Sequence, residues 1–116
     1  MPGRDRNLLR IDDMLAAIDV VETVLRETGG AVRQSDRVRV FAIERAFEIV
    51  SEASRRLDDD LRASEPGIPW SDIAGIGNIL RHDYDDVNFA LLMGTATDDL
   101  PLLRSALLRM RKCCED

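Results

Sequence analysis

A chain of 116 residues suits one domain with a single core, so residues 1–116 are expected to fold as one unit. Apolar residues at 45% and charged residues at 33% are the balance of a soluble globular protein, and 4% aromatics excludes a stacking platform of several rings. Lys and Arg total 16 against 22 Asp and Glu, and the net charge of −6 excludes a broad basic footprint for duplex nucleic acid, though not a local basic cleft.

Hydrophobic periodicity is helical throughout. Leu8, Ile11, Leu15, Ile18, Val21 and Leu25 recur at three- and four-residue steps and predict a first helix over 5–28, with Leu9, Met14, Val20 and Val24 widening its stripe. Gly29 and Gly30 stop it. A second long helix is predicted over 35–60, with Ser35 as its N-cap. Its stripe is Val38, Phe41, Ala42, Ala46, Ile49, Ala53 and Leu57, and Val40, Ile43, Phe47 and Val50 make a second apolar face. A helix apolar on two faces belongs in the centre of a bundle or at an oligomer interface, so a homodimer is expected.

Asp58, Asp59 and Asp60 read as a solvated helix end. Glu65-Pro66-Gly67-Ile68-Pro69 is the clearest break. A shorter helix follows over 70–83, started by Pro69 or Ser71, and its Gly75 and Gly77 suggest close approach to a neighbouring helix. Val87 to Thr97 follows Asp85-Asp86, carries no alternating strand pattern and is assigned to no helix. It is the longest uncharged run and is too short to cross a bilayer, and no signal-peptide pattern opens the chain. The expected setting is therefore cytoplasmic, with no membrane. The last helix is predicted over 98–112, capped by Asp98 or Asp99, with Leu102, Leu103, Ala106, Leu107 and Met110 apolar. Cys113 and Cys114 read as reduced thiols, since neighbours close almost no loop. The fold class is all-α, an antiparallel bundle of four to five helices.

The chemistry concentrates in one stretch. His82 is the single histidine of the chain, and Asn78 lies four residues before it, so both face one way on a helix. Arg81 lies one position earlier, and Tyr84 follows near the helix end. A histidine can take or give a proton near neutral pH, and a guanidinium can stabilise charge on phosphoryl oxygens. Such a set can act on a phosphodiester with no metal and no cofactor.

The stretch Ile68-Pro-Trp-Ser-Asp-Ile-Ala-Gly-Ile-Gly-Asn-Ile-Leu-Arg-His-Asp-Tyr84, between two long helices and an Asp-Leu-Pro-Leu-Leu turn into the last, resembles the HepT-like branch of the HEPN superfamily. The resemblance implies a dimeric helical bundle with a cleft between protomers. It implies a metal-independent endoribonuclease, the toxin of a toxin–antitoxin pair, in which the RNA 2′-hydroxyl is the nucleophile. His82 matches the family's proton-transfer residue, Asn78 its polar neighbour, and Tyr84 the tyrosine to which a minimal nucleotidyltransferase partner attaches AMP. Gly77 stands where the family usually has Arg, and Arg81 is the nearest replacement. The alternative is a catalytically weak or inactive module retained as a binding partner of the nucleotidyltransferase.

Overall fold

The computed structural model describes residues 2–82 and 86–116, with side chains described over 3–80 and 88–116. The described residues form six α-helices and no strand: α1 (Pro2–Thr28), α2 (Arg37–Arg55), α3 (Asp59–Ala63), α4 (Trp70–His82), α5 (Asp86–Asp98) and α6 (Leu100–Glu115). The all-α expectation holds, with six helices instead of four to five: the second expected helix is divided into α2 and α3, and α5 is additional.

α1 ends as its glycines predict. Gly29 adopts φ 61° and Gly30 φ 82°. The Gly30 N–H then reaches back to the Leu25 carbonyl at 2.9 Å, satisfying a carbonyl the helix would otherwise leave open. The cap of α2 is Asp36, not Ser35. Its carboxylate accepts from the Arg39 N–H at 3.3 Å and from the Arg39 guanidinium at 2.8 Å. The carboxylate serves the amide with one oxygen and the cation with the other, a charge-assisted bond that a neutral serine hydroxyl does not supply, and the pair holds the Asp36 carboxyl below its usual range.

α2 stops at Arg55 instead of continuing to residue 60. Asp58 is extended, at φ −63° and ψ 145°, and α3 starts after it with Asp59 and Asp60 in the first turn, where the helix dipole favours them. The break is pinned to α1. Asn7 is buried, donates to Asp58 Oδ2 at 3.1 Å and accepts from the Asp58 N–H at 3.2 Å. Val87–Thr97 is helical within α5. Its apolar residues run consecutively from Phe89 to Met93 instead of recurring, so period alone did not reveal it.

α1 packs on α2 and α6, α2 on α4, and α5 on α6. The shared core includes Ile11, Met14 and Ile18 from α1, Ile43 and Phe47 from α2, and Leu103, Leu107 and Met110 from α6. Arg104 on α6 bridges Asp19 and Glu22 of α1, and Arg111 meets Asp12 at 2.8 Å. Leu102 was expected in the last helix's stripe but is exposed, as are Val38 and Phe41 of the second. Cys113 is exposed and Cys114 buried, both free, and burial pushes the Cys114 thiol up. No described helix is long and apolar enough to cross a membrane.

The α3–α4 connection is latched from two sides. The Trp70 indole N–H donates to the carbonyls of Arg62 at 3.0 Å and Glu65 at 3.1 Å. The Glu65 carboxylate takes hydrogen bonds from the Arg109 guanidinium of α6, the closest at 2.6 Å.

Candidate active site

α4 begins where Pro69 lends its carbonyl to the Ile73 N–H at 3.1 Å. Its first residues sit beside the C-terminal end of α2, because Trp70 is tied to the Arg62 carbonyl while the Arg62 guanidinium donates to the Ser54 carbonyl at 3.1 Å. Further along, Ser51 engages α4 directly. Its hydroxyl donates to the Ala74 carbonyl at 2.8 Å and accepts from the Gly77 N–H at 3.2 Å. Going forward along α4 thus means going backward along α2, and the two helices are antiparallel.

Ser51 is fully buried. Nothing in the sequence marked it, since a serine inside an apolar stripe reads as a small spacer. It locks the turn of α4 that precedes Asn78. Ser51→Ala removes a partner of the buried Gly77 N–H and of the part-buried Ala74 carbonyl, and is expected to cost about 1–3 kcal/mol, read as a lower urea midpoint. An unchanged midpoint would mean that the bonds of α4 itself satisfy both groups.

The glycines of α4 differ. Gly77 is buried against α2, as close helix approach requires. At Gly75 an added Cβ would meet nothing within 4 Å, so the expected close approach is absent there.

Asn78 is exposed. From the register at Ser51, the right-handed winding of two antiparallel helices turns Asn78 and Phe41 to the same outer side of the α2–α4 pair. The opposite side carries Ile43 and Ile73 into the core. Position 82 lies one turn beyond Asn78 on the same face, at the end of α4. Arg81 and His82 close α4, and their side chains lie outside those described; Tyr84 lies outside the described residues altogether. The outer side also carries Val38, 81% exposed, Phe41, 61% exposed, and the exposed Arg37, which makes no ion pair or hydrogen bond through its side chain among the described residues. Among the described residues no group of three or more His, Cys, Asp and Glu converges as a metal site.

Comparison with known proteins settles the lineage. Residues 14–110 match the ribonuclease HepT-like family. The chain belongs to that family. It is 32% identical over 102 residues to the protein named Probable ribonuclease HepT of Thermococcus cleftensis, covering 88% of this chain and 93% of the relative. It is also 32% identical over 104 residues to a Methanocaldococcus jannaschii protein with a provisional RNase name, covering 90% and 94%. A second such protein of that archaeon is 28% identical over 115 residues, 99% of this chain and 94% of its own. No solved structure matches significantly. The HepT-like match includes all of α4, so the helix that Ser51 locks is part of what the family shares with this chain.

Proposed function

We propose that this HepT-like chain is a metal-independent endoribonuclease. The observation that carries the reading is the outer side of the α2–α4 pair, where the face of α4 that holds Asn78 and position 82 lies on the same side as the exposed Arg37 and Phe41. The RNase names of the relatives support it. His82 takes the proton of the RNA 2′-hydroxyl as the O2′–P bond forms. The P–O5′ bond breaks, and the leaving 5′-oxygen takes a proton from water. Arg81 supports the charge on the phosphoryl oxygens, and Asn78 orients the phosphate.

The same surface is the dimer seam. Val38 and Phe41 are too exposed for a surface that faces only water, and pairing two copies there brings both sets of site residues to one cleft. The protein acts as the toxin of a toxin–antitoxin pair in the cytoplasm. Its partner is a minimal nucleotidyltransferase that attaches AMP to the Tyr84 hydroxyl and releases pyrophosphate. The added anion would stand where RNA phosphate has to enter.

Purified protein in EDTA is expected to cleave single-stranded RNA and leave 2′,3′-cyclic phosphate and 5′-hydroxyl ends. Cleavage that vanishes in EDTA and returns with magnesium would overturn the reading. Light scattering is expected to give twice the 13.0 kDa of one chain, and Phe41→Glu one copy. A wild-type monomer would remove the seam. Gly77 supports the second reading, an inactive module, because its buried position holds no cation. A dimer that binds the nucleotidyltransferase but cleaves no RNA would favour it.

A further inference from the structure

A second surface lies on another side of α4. α4 packs on α2 and α5 on α6, and a groove of about 560 Å³ opens between them. That is the size of a built binding site. Three of the eight large apolar side chains left exposed among the described residues converge on it: Ile79, Leu91 and Leu102, the last two 63% and 62% exposed. Apolar side chains scattered singly over a surface need no explanation, but three in one groove do.

Two carboxylates, Asp72 and Asp99, line the same groove. Both are exposed, and neither side chain meets a cation or a hydrogen-bond donor among the described residues. This contrasts with Asp12, Asp19, Glu22, Asp36, Glu52 and Glu65, which all face an arginine. Among the described residues no Arg or Lys lines the groove. Uncompensated negative charge beside exposed apolar groups repels phosphate and favours a ligand that is apolar and basic together.

We infer that the groove between α4 and α5 is a docking site for a segment of another protein, a short amphipathic helix with an apolar face flanked by Lys or Arg. The apolar residues of such a helix, spaced i, i+3, i+4 and i+7, meet Ile79, Leu91 and Leu102, and its cations meet Asp72 and Asp99. Ile79 is turned about 100° around α4 from Asn78, so the groove and the outer side of α2–α4 are different faces of that helix. The inference stands on the groove alone and does not depend on ribonuclease activity.

The test uses the full chain and two labelled synthetic helical peptides. Both carry leucines at i, i+3, i+4 and i+7; one has lysine flanks, the other glutamate flanks. Fluorescence anisotropy at low salt is expected to show the lysine peptide binding about tenfold or more tightly than its twin. Leu91→Glu is expected to weaken it about tenfold. Leu91 is exposed, so this change spares the core. Asp72→Asn with Asp99→Asn is expected to bring the two peptides to within about twofold of each other. Failure of the lysine peptide to bind, equal binding of the twins to wild type, or full binding to Leu91→Glu would overturn the inference. So would displacement of the peptide by an RNA oligonucleotide, or a Leu91→Glu variant that changes the oligomeric mass, which would make the groove a seam between copies.

Discussion

His82→Ala is expected to lower RNA cleavage by about 10²-fold or more, the usual loss when a positioned proton-transfer group is removed. The effect should fall on turnover, with RNA binding nearly unchanged, because the imidazole's task is the 2′-hydroxyl proton. Position 82 closes α4, beyond the turn that Ser51 locks, so the helix should survive the change. Circular dichroism and the melting temperature check that. Arg81→Ala is expected to cost about 10²–10³, the range for one preorganised donor to a developing oxyanion. Full activity of Arg81→Ala would assign the charge role elsewhere, and Arg37 is then the first residue to change. Wild-type activity in His82→Ala would sink the assignment of His82 outright.

The largest loss of stability is expected at Phe47. Its ring is fully buried, in the cluster that joins α1, α2 and α6, and it also lies at the floor of the α4–α5 groove. Phe47→Ala removes most of the side chain from a packed interior and is expected to cost about 3–5 kcal/mol. A domain of this size has about 5–15 kcal/mol in total, so the variant should be near the limit of folding at 37 °C. Urea unfolding of wild type and variant measures the difference. A loss below about 1 kcal/mol would mean that the groove collapses to refill the space, and that its walls are less fixed than the core beneath them.

The helical class was legible because α1, α2 and α6 bury one stripe each, and a stripe is a local property of sequence. Boundaries were legible where the backbone demands a special residue, as at Gly29 and Gly30 after α1, or where a proline precedes a helix, as at Pro69 before α4. Ser35 and Asp36 were not separable, because the choice rests on where Arg39 returns its guanidinium. α5 was hidden by continuous apolarity, which suits a buried helix and a buried strand alike. Within the candidate site, the placement of Asn78 and His82 on one face of α4 follows from spacing alone. The outer side that receives them does not. It depends on the register between α2 and α4, fixed by Ser51 on both Ala74 and Gly77, contacts that no local pattern encodes. Phe41 shows the same limit: it belongs to an apolar stripe by period and to the surface by packing.

The latch on the α3–α4 connection gives the protein its own spectroscopic reporter. Trp70 is the single tryptophan of the chain, and its indole is held by carbonyls of that connection, one belonging to Glu65. The Arg109 hydrogen bonds hold the Glu65 carboxyl below the usual carboxylate range. A lowered native value means that the latch's contribution is fully present above the unfolded value, about 4.3, and fades as pH falls through the lower native one. Emission from Trp70 therefore follows the loosening of one connection, while far-ultraviolet dichroism follows the helices as a whole. Where the two signals part company on acidification, the connection is opening ahead of the bundle, and a single unfolding constant no longer describes the molecule.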